Sequence, residues 1–214
     1  MTKSEQRPDQ ITRFFFSPAL SLAFCVFVTG ILMGWYRSTL LESLTPFFEP
    51  ILEIAALLFF LASIAVSLGH MVWARKQGVA AALSPFLLNA LTVIAVLFVP
   101  FPAIQFHVHQ QARVEAASAI LDGKYESRIR GGGRGDLVVL PPRLAYLSSG
   151  GDVMVLHRQE ATLIFFFDYR GVLDSFAGFV YSTNDSPPRK GDFGGSFVEI
   201  ERLGKNWFWA TSIN

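Results

Sequence analysis

Cysteine and charge are both scarce in this sequence, and each scarcity excludes something. The single cysteine, Cys25, lies among phenylalanine and valine in an apolar run. One thiol cannot close an intrachain disulfide, so any domain placed in an oxidising compartment must be held by packing alone. In that setting the cysteine reads as a small hydrophobe. Charged residues make up 16% of the 214 residues, against roughly 25% in an average soluble domain. The shortfall is uneven. Only 6 of the 18 Lys/Arg and 5 of the 17 Asp/Glu precede residue 107. The remainder of the chain has an ordinary soluble charge density that sums to zero, which argues against a non-specific nucleic-acid surface.

Recognisable chemistry is missing too. The chain has no G-x-x-x-x-G-K-[ST] phosphate loop, no G-x-S-x-G elbow and no D-x-[DN]-x-[DN]-G calcium loop. Ser148-Ser149-Gly150-Gly151 with His157 six residues on reads as a hairpin turn, since no acid is designated to orient the histidine. Asp152, Asp168, Asp174, Asp185 and Asp192 are spread over turns, where aspartate hydrogen-bonds backbone. His107 and His109 would stand about 200° apart on a helix, and no further Cys or His follows at zinc spacing. They read as interfacial histidines. No metal or cofactor is implied, and no catalytic residue is assigned.

What the sequence does contain is oil. Residues 14–36 carry no charge, nor do 54–74, and a third apolar run covers about 85–106. Each is long enough to cross a hydrocarbon core of ~30 Å at ~1.5 Å per residue, and none has the polar face of a surface helix. Gly30-x-x-x-Gly34 and Ser63-x-x-x-Ser67 are small-residue faces for packing among these helices. Lys3, Arg7 and Arg13 precede the first span, and Arg75 and Lys76 follow the second. Arg37 and Arg113 fall on the opposite side. Five cations against two predict a cytoplasmic amino terminus, with residues 1–13 as a cytoplasmic tail.

After the third span, residues 107–136 read as an exit helix, capped by Gly123, and a glycine-rich linker around Gly131–Gly133. From 137 to 214 the pattern becomes short β-rich runs: "DLVVL", "RLAYLS", "DVMVLH", "ATLIFFFDYR", "FAGFVYST", "SFVEIERL" and "NWFWATSI". Several alternate with period two. The continuously apolar "LIFFF" predicts a central strand covered on both faces. In the last run, Trp207 and Trp209 share one face of a strand and Phe208 takes the other. The tryptophans are candidates for an exposed interaction patch.

The fold class expected is an α+β membrane protein. Three transmembrane helices precede a small antiparallel all-β extramembrane domain, built as a sheet, barrel or sandwich. The function expected is that of a multi-pass protein of the plasma (inner) membrane presenting this β-domain outside the cytoplasm for protein–protein interaction, in an accessory or scaffold role. Its partners would be the lipid bilayer and either another membrane or extracytoplasmic protein or a second copy, with no nucleic acid. Two alternatives are a membrane-anchored hydrolase with its site in the β-domain and a subunit of an oligomeric transporter or channel.

Overall fold

The computed structural model describes residues 17–43, 49–130, 135–171 and 175–212. The tail at 1–13 with its three cations, the glycine run 131–133 with Arg134, and Asp174 lie outside the described residues. Among the described residues the chain forms two compact units, one of 17–37 with 49–99 and the other of 38–43 with 100–212.

The first unit is helical: α1 (Pro18–Ser43, of which the residues up to Arg37 belong to this unit), α2 (Glu49–Trp73), a 3-10 turn (Ala74–Gln77) and α3 (Val79–Phe98). Each helix holds a stretch long and apolar enough to cross a membrane: Pro18–Tyr36, Ile51–Trp73 and Val79–Phe98. These span roughly 28–35 Å at 1.5 Å per residue. Bulky side chains such as Phe24, Leu58, Leu87 and Phe98 are exposed, while the buried positions are small or polar. On α1 they are Ala19, Ala23 and Val26, and on α3 Ala82, Asn89, Thr92 and Ala95. This inversion of the soluble pattern is what a lipid solvent selects, because oil drives no large side chain inward and close approach is won with small residues.

The third span departs from the expected 85–106. Helix α3 takes in Gly78's neighbours from Val79 onward and ends at Phe98, with Val99 already extended. Pro85 therefore sits inside the helix. A proline cannot donate to the carbonyl four residues back, which here is Ala81. That carbonyl instead accepts from the Ser84 hydroxyl at 3.2 Å and from His70 Nε2 of α2 at 3.3 Å. Since a carbonyl only accepts, the His70 proton is on Nε2. The proline's missing bond is thus repaired by the facing helix.

The second unit begins with α4 (Phe101–Leu121), which absorbs the residues expected to end the third span. Pro100 and Pro102 occupy its first positions, where the lost donors have no intrahelical partner anyway. Its end is a Schellman cap: Gly123 at φ 69° lets the Lys124 N–H reach the Ala119 carbonyl and the Gly123 N–H reach that of Ile120.

Among the described residues seven strands follow: β1 (Ser127–Arg130), β2 (Asp136–Val139), β3 (Asp152–His157), β4 (Thr162–Arg170), β5 (Phe176–Ser182), β6 (Phe197–Gly204) and β7 (Trp207–Ser212). They form one antiparallel sheet in the order β1-β2-β3-β4-β5-β7-β6. Strand β1 lies inside the stretch expected to be linker. The run "RLAYLS" is not a strand. It holds a 3-10 turn, Ala145–Leu147, followed by a second at Ser149–Gly151, and a spacing of three lets Leu144 and Leu147 tuck into the core together.

Strand β4 is the middle strand and is buried on both faces, as its unbroken apolar run requires. Ile164 and Phe166 join one core with Phe179, Trp207 and Trp209, and helix α4 covers that face through Phe106, Ala116 and Ala117. Leu163, Phe165 and Phe167 join a second core with Phe176, Phe193 and Phe208. The sheet is the partition between two aromatic layers.

Candidate functional site

Inside the helical unit, Ser63 and Ser67 of α2 and Asn89 of α3 close a polar ring. The Ser63 hydroxyl donates to Asn89 Oδ1 at 2.9 Å, the Asn89 amide donates to Ser67 Oγ at 3.0 Å, and the Ser67 hydroxyl donates to the Ser63 carbonyl at 2.7 Å. All three side chains are buried. The ring satisfies itself and contains no titratable group, so it acts as a clasp between two helices. Replacing Asn89 with Leu is expected to weaken the α2–α3 pair by about 1 kcal/mol, measurable as a lowered denaturation midpoint in mixed micelles. Gly30 of α1 meets α3: a Cβ there would lie 3.1 Å from Thr92 Cγ2 and 3.3 Å from Val96 Cγ2. Gly34 is half-buried on the same helix.

In the second unit the notable group is Arg113, the most buried cation among the described residues at 4% exposure. Its position on α4 places it under the sheet, with Cζ 3.8 Å from the Phe179 ring centroid. Nη1 donates to the carbonyls of Gln105 at 3.0 Å and Phe106 at 3.3 Å, about two helical turns behind it. Burial lowers its pKa to about 10, against the opposing pull of Asp168 and Tyr146. The guanidinium keeps its charge at neutral pH; its stacking on Phe179 joins α4 to β5, while its carbonyl contacts stay within α4. It is therefore no loop cation.

His107 and His109 are separated by the helix, as their spacing implies. His107 is exposed, with Nδ1 3.5 Å from Gln110 Oε1. His109 faces the 3-10 turn, its ring edge-on to Tyr146 with centroids 5.4 Å apart. No group of three His, Cys, Asp or Glu able to hold a metal occurs among the described residues. Burial and then the Arg113 charge hold the His109 pKa below its ordinary value of 6.5. A base whose folded-state pKa is depressed binds its proton more readily in the unfolded chain, so it subtracts stability as pH falls through the unfolded value. The thermal midpoint is expected to drop between pH 7.5 and pH 5.5, and His109→Gln to remove part of that drop.

Among the described residues, His157, Ser148, Asp152, Asp185 and Asp192 have partners in loops and strands. His157 Nδ1 lies 3.1 Å from Thr162 Oγ1. The buried Ser148 hydroxyl donates to the Asp152 carbonyl and accepts the Phe167 N–H at 2.9 Å. Asp152 pairs with Arg170, Asp192 with Arg158, and Asp185 with Arg202 at 2.8 Å. The Asn206 N–H, with Arg202 beside it, holds the Asp185 carboxyl below the usual range. These ion pairs tie loops to strands.

The tryptophans do not form an exposed patch. Trp207 is 3% and Trp209 9% exposed. Trp207 packs 5.3 Å from the Phe106 ring and Trp209 5.0 Å from Phe179. The face they share is the one α4 covers, a helix some ninety residues earlier whose docking no local pattern announces. No family model, curated protein or solved structure matches this chain.

With the tryptophans covered, the exposed apolar positions of the β-domain lie elsewhere. On edge strand β6, Val198 is 62% and Ile200 42% exposed. Ile200 is flanked by exposed Glu199 and Glu201, for which no ion pair occurs among the described residues. An exposed sheet edge with apolar side chains offers unpaired backbone donors and acceptors to another chain.

Proposed function

We propose that the protein is a multi-pass membrane protein of the plasma (inner) membrane that presents its β-domain outside the cytoplasm for protein contacts, in an accessory or scaffold role. The observation that carries this reading is the contrast within the β-domain: Asp152, Asp185, Asp192, Ser148 and His157 bond to loop and strand groups, while Val198 and Ile200 on β6 are exposed. Orientation follows from the flanking cations. With Arg113 in the protein core, the comparison becomes Lys3, Arg7, Arg13, Arg75 and Lys76 against Arg37. That bias favours a cytoplasmic amino terminus and, across three spans, an external carboxyl terminus.

A reporter fused after residue 214 tests the orientation. A periplasm-active enzyme is expected to work there and a cytosol-active one to fail; the reverse pattern would overturn it. Crosslinking in native membranes followed by affinity purification tests the contact role. Recovery of a specific protein partner, another copy included, is expected, and its complete absence would sink the reading.

A further inference from the structure

Among the described residues β6 is the outermost strand at one end of the sheet, paired with β7 alone. Bulges at Phe197/Glu199 and Arg202/Gly204 limit its regular stretch to Glu199–Arg202. Cross-strand partners share a face. Glu199 stands opposite Thr211 and Glu201 opposite Trp209, on the side of the sheet that α4 covers. Ile200 stands opposite Ala210, on the other side. All three of these β6 side chains are exposed. The neighbouring cation is engaged away from the acids: Arg202 pairs with Asp185 at 2.8 Å and lies over the Phe208 ring at 4.8 Å. We propose that this edge takes up a short extended segment of another protein that carries a basic, an apolar and a basic residue in succession. The proposal rests on the contact role above and names the chemistry of the partner.

That chemistry follows from the edge itself. A strand added to a sheet continues the ladder, and its alternate side chains line up with those of its neighbour. Lysine or arginine beside Glu199 and Glu201 turns two exposed acids into cross-strand ion pairs, and an apolar residue between them covers Ile200. The order acid, isoleucine, acid reads the same in both directions, so the match holds for a parallel or an antiparallel segment. A second β6 fits badly. Two copies paired antiparallel about a two-fold axis set one residue opposite itself. Centred on Glu199, Glu201 or Arg202, that residue meets its own charge; centred on Ile200, Glu199 meets Glu201 twice. Like charges along an edge guard a sheet against its own copies. The same charges admit a partner of opposite sign.

The test uses the full-length protein in an uncharged detergent, with short fluorescent peptides that carry Lys-Ile-Lys at the centre of an otherwise polar, uncharged sequence. Saturable binding is expected, read as fluorescence anisotropy. A strand turns only alternate N–H groups toward its neighbour. Of two peptides N-methylated on the two alternate sets, one should therefore lose binding and the other keep it. Glu199→Lys/Glu201→Lys should weaken binding of the Lys-Ile-Lys peptide on the order of tenfold, since two cross-strand pairs pass from attraction to repulsion. A Glu-Ile-Glu peptide should bind that variant and not the parent. No saturable binding, equal behaviour of the two methylated peptides, or indifference to charge reversal would each overturn the proposal. So would a dimer of the parent chain that Glu199→Lys/Glu201→Lys abolishes, which would assign the edge to a second copy. If no peptide binds while crosslinking in native membranes recovers a specific partner, the edge pairing falls and the contact role stands.

Discussion

Replacing Phe106 with Ala is expected to cost the β-domain about 3–5 kcal/mol, a large part of the 5–15 kcal/mol typical of a whole domain. Phe106 is fully buried and holds α4 on the sheet through Phe179 at 6.0 Å and Trp207 at 5.3 Å, with the guanidinium of Arg113 from the same helix over its ring. Truncation leaves a ring-sized void between a helix and a sheet, and neither can collapse into it without moving the other. It also strips the Arg113 cation of one aromatic neighbour. Chemical denaturation followed by tryptophan fluorescence reads the change directly, since Trp207 is in contact with the deleted ring. Ile104→Ala, on the exposed side of the same helix, is expected to shift the midpoint by no more than about 0.5 kcal/mol. Equal effects from the two substitutions would contradict the docking described here.

Adding one methyl at Gly178 should be nearly as damaging. Strand β5 meets β4 there across the bulge between Phe167 and Tyr169, and Gly178 is paired with Phe167. A Cβ at 178 would overlap the Phe166 carbonyl oxygen and come within 2.8 Å of Phe165 Cε1 and 3.0 Å of the Asp168 nitrogen. Two of those atoms belong to the backbone of the central strand, so relief requires the sheet to open. Gly178→Ala is therefore expected to destabilise by about 3 kcal/mol or more, seen as a thermal midpoint lowered by many degrees or as failure to accumulate folded protein. Gly204→Ala is the matched control, because a methyl there meets nothing within 4 Å. A Gly178→Ala protein that melts like the parent would mean that the bulge is not where the register places it.

Several features could be read from residues alone, for identifiable reasons. Three uncharged runs of membrane length gave three helices. Period-two alternation separated Trp207 and Trp209 from Phe208 into different cores, and "LIFFF" marked the middle strand. The end of the third span was not legible because hydropathy cannot distinguish oil from a protein interior. Phe101 to Phe106 are apolar but for Gln105, and Phe106 is buried against the sheet of the second unit. Arg113 misled in the opposite direction: a charge just past an apolar run looks like a membrane flank, yet this one is stacked on Phe179. The aromatic patch expected from Trp207 and Trp209 failed because the covering helix is far away in sequence. The acidic edge at β6 carried a local signal, alternating glutamate and isoleucine, but only the sheet order reveals that this strand is an edge.

The placement of β7 between β5 and β6 fixes the timing of maturation. During synthesis β6 is delivered first and has no hydrogen-bonded neighbour until β7 arrives to separate it from β5. The segment carrying Trp207, Phe208 and Trp209 thus completes both aromatic layers in a single late step. Until that strand is in place, the phenylalanines of both layers lack the cover that Trp207, Phe208 and Trp209 give them.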